Sequence, residues 1–253
     1  MGRLTAFIPI LLALGATILA PRGGAQAQDR REKGPFEIEK CQTIDQPGSY
    51  KLVNNLTFTP GPAGGVCLLI TANFVTIDLS GFTISGPGIR EFAPPTTVAI
   101  EAREDLGTGI SVRNGSILGF TTGVNLEGFG SIVEGLRVLC TEGIKATGIK
   151  ATGIVRGNTV DGRPGGTGIS ATGVVTGNAV TEFIVTGISI GQGSTVIGNT
   201  AVGSGGINIE PVGIAVSCPS NVTDNTAIFN GGGNLVLSGD GCNNTNNVAP
   251  LTP

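Results

Sequence analysis

The sequence has no tryptophan, no histidine, a single tyrosine (Tyr50) and no methionine after the initiator. Without histidine, the chain lacks the side chain that most often acts as a general base or a metal ligand near neutral pH. Its five cysteines are scattered, so no cluster of metal ligands is formed by Cys and His together. Only its 10 phenylalanines and one tyrosine could stack on a sugar ring. These absences exclude histidine-dependent hydrolases and histidine-ligated metal sites.

Residues 1–27 have the pattern of a secretory signal peptide, with Arg3, an apolar run over 5–20 and a final Ala-x-Ala cleavage motif. The run is shorter than the roughly 20 residues that a membrane-spanning helix needs. We therefore predict cleavage near residue 27 and a secreted or periplasmic protein, with no membrane insertion. Cleavage removes Arg3 and Arg22 from the 15 basic residues, which leaves 13 basic against 18 acidic side chains and a net charge of −5. Nucleic acid and anionic lipid are poor candidate partners for such a chain.

The chain is rich in short runs of Val, Ile and Thr, which are separated by Gly, Asn and Ser; 43 of its 253 residues are glycine. No stretch shows the 3.6-residue periodicity of an amphipathic helix. Short runs of β-branched residues between turn-forming residues are typical of strands. We therefore predict an all-β protein with many short strands.

Six segments of similar sequence carry a polar turn at the same place: "VRNGSI", "VEGLRV", "VRGNTV", "VTGNAV", "VIGNTAV" and "VTDNTAI". Their turns lie 20 to 26 residues apart. A period of this length with three short strands per repeat predicts a solenoid, in which each coil buries its apolar face against the next. A β-sandwich or barrel would instead need hairpin turns about every 8 to 12 residues and no fixed Asn.

Most of these turns contain an asparagine. Asn tolerates the left-handed conformation of a sharp corner, and its amide can both donate and accept hydrogen bonds. Because stacked coils lie about 4.8 Å apart, asparagines in register can bond to one another along the axis. We predict a structural ladder that consists of Asn114, Asn158, Asn178, Asn199 and Asn225.

These repeats, of the form G-I-x-I followed by V-x-G-N-x-V, resemble the PbH1-type repeats of the pectate-lyase-like superfamily. The segment "CQTIDQPGSYKLVNNLTF" resembles the N-terminal part of secreted bacterial β-helix proteins. The resemblance covers essentially the whole mature chain and implies a single-stranded, right-handed parallel β-helix of about seven or eight coils. It does not imply an activity, since the superfamily includes lyases, hydrolases, esterases and non-catalytic surface proteins.

An open solenoid needs its ends covered, because exposed strand edges recruit other chains. We predict an N-terminal β cap over 28–60 and the parallel β-helix over 61–242. The last residues, 243–253, are polar and interrupted by proline, which predicts a flexible tail.

Side chains alternate along a strand, so the first strand of each coil should present a stripe of outward residues. By the resemblance, this sheet face is where superfamily enzymes usually have their sites. The predicted stripe consists of Ala99, Asn125, Lys145, Ser170, Ser189 and Asn208. It contains no carboxylate. None of the catalytic residues of pectate lyases, polygalacturonases or pectin methylesterases can be assigned to a matching position in this sequence.

Three residues remain as catalytic candidates: Asp161, Arg163 and Glu182, on the connections after the third strand of successive coils. Two acids there could act as a general acid/base pair or bind a cation, and calcium would be the cofactor of a lyase. The simpler interpretation is a solvated edge with surface ion pairs worth under about 1 kcal/mol each. We therefore assign no catalytic, cofactor or metal residue.

Cys41 and Cys67 lie 26 residues apart, and Cys218 and Cys242 lie 24 apart. Each separation is about one coil, so we predict one disulfide within each pair, at the two ends of the solenoid, as expected in an exported protein. Cys140, in the middle of the chain, should be a buried free thiol.

Two functional hypotheses follow. The first is a non-catalytic secreted or cell-envelope protein that acts as a rigid scaffold or contacts a polysaccharide. The second is a small lyase or glycoside hydrolase that acts on an acidic polysaccharide. Sugar cleavage needs two placed carboxylates, or a base with a cation, and the predicted stripe offers neither. We therefore expect the first, and the sequence indicates no oligomeric state.

Overall fold

Strand pairs are parallel throughout the described part of the chain, and each strand lies beside the equivalent strand of the next repeat. The computed structural model describes residues 34–88, 96–102, 107–140, 143–203 and 210–250. The predicted signal peptide, 1–27, lies outside the described residues. About eight turns stack into a parallel β-solenoid without helix among these residues. The predicted all-β solenoid is confirmed.

The structure describes twenty strands, which form one continuous sheet. They are β1 (Phe36–Ile38), β2 (Gln42–Ile44), β3 (Gly48–Leu52), β4 (Leu56–Thr57), β5 (Gly65–Ile70), β6 (Val75–Asp78), β7 (Thr83–Ser85), β8 (Thr97–Ala102), β9 (Ser111–Phe120), β10 (Thr122–Cys140), β11 (Gly143–Arg156), β12 (Thr159–Thr176), β13 (Ala179–Ile190), β14 (Thr195–Ile197), β15 (Thr200–Val202), β16 (Val212–Ser217), β17 (Asn221–Thr223), β18 (Thr226–Ile228), β19 (Gly233–Ser238) and β20 (Asn243–Thr245).

Each coil contributes one stretch to each of three columns of strands. The first column consists of β2, β5, β8, 122–126, 147–151, 167–171, 186–190, β16 and β19. The second column consists of β1, β3, β6, 111–113, 131–134, 153–156, 173–176, β14, β17 and β20. The third column consists of β4, β7, 116–118, 136–139, 159–161, 179–181, β15 and β18.

The core is a stack of branched aliphatic side chains along the axis. In the first column, Val124 and six residues in register with it are fully buried, namely Leu68, Ile100, Ile149, Ile169, Ile188 and Ile214. Full burial of a side chain of this size contributes roughly 1.5–3 kcal/mol. One coil alone cannot bury these groups, which explains why the sequence must repeat.

A glycine precedes the core residue in each coil from Val124 to Ile214, and it has a packing role. A Cβ on Gly148 would lie 2.4 Å from Cγ1 of Val160, and one on Gly168 would lie 2.2 Å from Cγ1 of Val180. These contacts are far closer than van der Waals packing allows, so only glycine lets the first and third columns approach this closely. The recurrent "TGI" of the sequence is therefore a requirement of the corner between these columns.

Four of the five predicted ladder asparagines form the ladder, and all four are buried: Asn158, Asn178, Asn199 and Asn225. The Oδ1 atom of Asn178 accepts hydrogen bonds from the backbone N and the Nδ2 of Asn158, each at 3.0 Å. Its Nδ2 donates to the carbonyl of Val155 in the preceding coil and to Oδ1 of Asn199 in the next, both at 2.9 Å. Each amide thus joins three coils.

Asn114 is not part of this ladder, and the reason given for the asparagines needs correction. Each corner has two positions. A left-handed residue occupies the first, such as Gly157 (φ 62°) or Gly177 (φ 61°), and the buried ladder asparagine follows it. Asn114 occupies the first position (φ 60°), where its exposed Nδ2 lies 3.3 Å from Oδ2 of Asp78. The ladder position of its coil is Gly115. In this coil the corner has the sequence Asn-Gly, whereas the ladder corners have Gly-Asn or Asp-Asn, and this reversed order indicates the difference.

The ladder extends instead to Asn247, which the sequence reasoning missed. Its Oδ1 accepts from the backbone N and Nδ2 of Asn225 at 2.7 and 2.9 Å. Beside it, β20 pairs with β17 in parallel register. At the other end, β1 to β4 pair in the same manner as later strands. Parallel pairing therefore includes strands before residue 60 and after residue 242, and the predicted boundaries of the cap, the solenoid and the tail stay predictions.

Both predicted disulfides are present. Cys41–Cys67 and Cys218–Cys242 join neighbouring coils near the two ends of the described stack, with Cα–Cα distances of 4.5 and 5.0 Å. Cys140 is a buried free cysteine, also as predicted. Two structural disulfides are consistent with an extracellular protein. No membrane-spanning helix is found in the described part of the chain.

Candidate functional site

The outward stripe of the first column differs from the predicted one at three positions. The residues in register are Glu101, Asn125, Lys150, Ser170, Ser189 and Ala215. Asn125, Ser170 and Ser189 were therefore placed correctly. The prediction of Asn208 falls outside the described residues.

Ala99 and Lys145 were wrong choices for physical reasons. Ala99 is fully buried at the corner position that Gly123 occupies in the next coil, and Glu101 is the residue in register with Asn125. The segment "GIKAT" occurs twice in succession, and the second copy pairs with the neighbouring coils, so that Lys150 takes the place predicted for Lys145. The stripe therefore does contain a carboxylate, contrary to the prediction.

Two carboxylates and a lysine form the charged part of this face. Oε1 of Glu101 accepts a hydrogen bond from Nδ2 of Asn125 at 3.3 Å. Glu127 follows Asn125 by two residues, on the same side of the strand, and forms an ion pair with Lys150. The side chains of Lys150 and Glu127 are 45% and 28% exposed. Both carboxylates thus have a polar partner on the adjacent coil.

Hydroxyl groups cover the rest of the face. A shallow groove of about 270 Å³ runs across five coils from Glu127 to Ser217, and small polar side chains form much of its lining. These are Thr152, Ser170, Thr172, Ser189 and Ser217. Thr147, Thr167 and Thr186 lie in register at the start of the same strands. We call the outward side of the first column, from Glu101 to Ser217, the polar face.

One polar atom on this face is left without a partner. Oδ1 of Asn125 is buried and accepts no hydrogen bond from any described residue. A buried acceptor without a donor costs about 1–3 kcal/mol relative to a satisfied one. Asn125 lies between Glu101 and Lys150 in register, so this group is at the centre of the charged part of the face.

The sequence-derived candidates lie elsewhere, on the third column and the connection after it. Asp161 is half-buried and in register with Thr181, so the exposed Glu182 follows one residue further on the next coil. Asp161 lies near the buried Cys140; burial and then the charge of Asp161 raise the pKa of this thiol to about 12. The side chain of Arg163 lies outside the described part of the structure. Neither acid is on the polar face.

The second column carries a ladder of alternating charges that sequence reasoning missed. In register are Glu37, Lys51, Asp78, Arg113, Glu134 and Arg156. Nε of Arg113 lies 3.1 Å from Oδ2 of Asp78, and Nε of Arg156 lies 2.7 Å from Oε2 of Glu134. Because these charges are already paired, we interpret this side as a stabilised solvent surface. No group of three acidic, His or Cys residues among those described could hold a metal ion.

Comparisons with known proteins are limited. A scan of protein-family models gave no match, and a search of curated protein sequences gave none. Two solved structures are similar in fold. The Dettilon tailspike protein is 14% identical with a TM-score of 0.41, over 84% of this chain and 59% of that chain. The enzymatically active domain of tailspike protein 2 of bacteriophage CBA120 is 15% identical with a TM-score of 0.43, over 78% of this chain and 42% of that one. Likeness at this level does not bear on what this chain binds.

Proposed function

We propose that the protein is an exported, non-catalytic β-helix protein whose polar face contacts a polysaccharide. We further infer membership of the pectate-lyase-like superfamily, on the repeat pattern of the sequence. The observation that carries the proposal is the polar face itself, a rigid sheet surface with hydroxyl, amide and charged groups at one coil spacing, about 4.8 Å.

The chemistry of this face suits a polyol. Sites for small apolar ligands are concave and mostly apolar, whereas this groove is open and most of its lining side chains are Ser, Thr, Lys or Glu, with Ile190 and two alanines among them. Polysaccharides present repeated hydroxyl groups along an extended chain, and such a chain can follow in-register donors and acceptors from coil to coil. Asn125 and Lys150 lie in register at the centre of the charged part of this face, where a bound sugar chain would contact them.

Equilibrium binding to a panel of neutral and acidic polysaccharides tests the proposal. We expect Lys150→Ala and Asn125→Ala to weaken binding by about tenfold each, which corresponds to 1.4 kcal/mol. Arg156→Ala is the matched control, because Arg156 forms a similar ion pair on the second column. No binding by the wild-type protein, or an equal loss in the control, would contradict the proposal.

A second candidate function, a glycoside hydrolase, is favoured by one observation. Glu101 and Glu127 lie on the same face of adjacent coils with an offset of two residues, so standard strand geometry separates their Cα atoms by about 8 Å. Inverting glycosidases hold their two carboxyl groups about 6.5–9.5 Å apart. Against it, Glu127 is paired with Lys150 and Glu101 with Asn125.

Product assays separate the two functions. Reducing ends and unsaturated products are measured on the same panel, with and without calcium, for the wild type, Glu101→Gln and Glu127→Gln. Turnover that both substitutions abolish would establish the hydrolase. Turnover that Asp161→Ala or Glu182→Ala abolishes would place a catalytic site at the edge of the third column, and calcium dependence would favour a lyase.

A further inference from the structure

We propose that Phe74 and Phe129 form a stacking platform at one end of the polar face and that the platform recognises a neutral polysaccharide. This inference rests on the proposed function and specifies the class of sugar. The side chains of these residues are among the most exposed large apolar groups described, at 69% and 79% relative exposure. By contrast, Phe120 and Phe183 are buried in the core.

The two phenylalanines occupy the same corner, between the first and second columns. The backbone N of Phe74 donates to the carbonyl of Thr108 at 2.9 Å, and the N of Gly109 donates to the carbonyl of Phe129 at 3.0 Å. Phe74 and Phe129 are therefore two coils apart, about 10 Å along the axis. This distance is close to the length of a disaccharide unit, so successive units of one chain could contact both rings.

The ring of Phe74 is supported from below. A Cβ placed on Gly109 would lie 2.8 Å from Cδ1 of Phe74 and 3.2 Å from Cε1. The ring thus lies against the bare backbone of Gly109, which holds it in place while the rest of the side chain is exposed. A fixed ring with a free surface is the geometry that stacking on the C–H groups of a sugar needs.

The backbone at Phe74 adopts a left-handed conformation. Phe74 has φ 56°, at the corner position where Gly109 and Gly130 have φ 68° and 72°. A bulky residue in the left-handed region is an outlier, and such strain is concentrated at functional sites. Phe229 combines the same conformation and exposure at another corner, so the position of Phe74 beside the polar face is what assigns it to the platform.

Charge determines the class of sugar. The platform is continuous with the charged part of the polar face, since Phe129 follows Glu127 by two residues, about 7 Å along the strand. The charged residues described on this face are Glu101, Glu127 and Lys150, with one net negative charge. An acidic polysaccharide would be repelled, whereas a neutral one offers hydroxyls to the polar face and apolar ring faces to the phenylalanines.

The absence of tryptophan makes the platform directly observable. In Phe129→Trp, the introduced indole is the only one, and its emission reports on binding at the corner. We expect titration with a neutral polysaccharide to change this emission, and an acidic polysaccharide of equal length to change it much less. Phe74→Gly and Phe129→Ala should each weaken binding of the neutral polysaccharide about tenfold, while Phe74→Gly keeps or raises the unfolding midpoint.

Phe229→Gly is the matched control. Phe229 is also left-handed (φ 58°) and 76% exposed, but it lies four coils from Phe129, about 19 Å along the axis. Binding by the wild type that neither Phe74→Gly nor Phe129→Ala weakens would overturn the platform and leave the proposed function standing. Preference for the acidic polysaccharide would overturn the inferred sugar class. No binding of any polysaccharide would overturn both the platform and the proposed function.

Discussion

Replacement of Asn178 by alanine should destabilise the protein more than any substitution of an exposed asparagine. The side chain of Asn178 makes four buried hydrogen bonds, two to Asn158, one to Val155 and one to Asn199. Alanine makes none of them and leaves the buried backbone N–H of Asn158 without its acceptor. An orphaned buried donor costs about 1–3 kcal/mol, and each further lost bond costs about 1 kcal/mol. The expected loss is about 4–6 kcal/mol.

Equilibrium denaturation followed by far-ultraviolet circular dichroism measures this loss, with the disulfides kept oxidised. Asn114→Gly is the control, because Asn114 is exposed, left-handed and outside the ladder. We expect the control to change the free energy of unfolding by no more than about 0.5 kcal/mol. A loss below about 1 kcal/mol in Asn178→Ala, or equal losses in the two variants, would refute the ladder energetics.

Three further predictions concern packing and cysteine chemistry. Gly148→Ala should destabilise the protein by several kcal/mol, because the added methyl group overpacks the core. Gly157→Ala has open space around its Cβ and should cost only about 1–2 kcal/mol, for its left-handed φ. The midpoints of urea denaturation compare the stabilities of the two variants. Cys140, whose pKa burial raises to about 12, should resist alkylation in the native protein at pH 8 and give one reactive thiol per chain in denaturant; fast native alkylation would contradict its burial. Since this pKa is raised, the thiol's contribution to stability is complete below the unfolded pKa near 8.5 and declines above it. Removal of the Cys218–Cys242 disulfide by a double alanine substitution should lower the free energy of unfolding by about 3 kcal/mol, and an unchanged value would show that the disulfide does not staple the end.

The fold was predictable because one local pattern carries it. Gly before a branched core residue and Gly-Asn at the next corner repeat at nearly constant spacing, and each feature has a distinct structural cause. Gly148 and Gly168 allow close approach of two columns, and Asn178 joins three coils. A sequence that repeats such restricted positions specifies the period of the solenoid directly.

The register of individual coils was less predictable. "GIKAT" satisfies the first-strand pattern at two places five residues apart, and only pairing with neighbouring coils selects Lys150 over Lys145. A shift of one position reverses which side chains face outward. Ala99 was chosen in place of Glu101 by a shift of two residues, which moved the predicted position to the buried corner of the strand. That error removed the carboxylate from the predicted stripe.

Contacts between coils of unequal length could not be predicted at all. Asp78 and Arg113 are 35 residues apart in sequence, yet they form an ion pair because they are in register. Phe74 and Gly109 are also 35 apart, and their stacking depends on the same register.

Asn247 was missed although it lies 22 residues after Asn225, close to one period. Here the spacing itself was a usable signal.

Mapping of the bound polysaccharide onto the polar face tests the central claim most directly. Backbone amide chemical shifts of isotopically labelled protein would be recorded with and without a neutral oligosaccharide that binds. The account predicts changes concentrated at 122–129 and 150–152, with little change around Arg113 and Arg156 on the second column. Changes confined to the second column, or to the edge that carries Asp161 and Glu182, would contradict it.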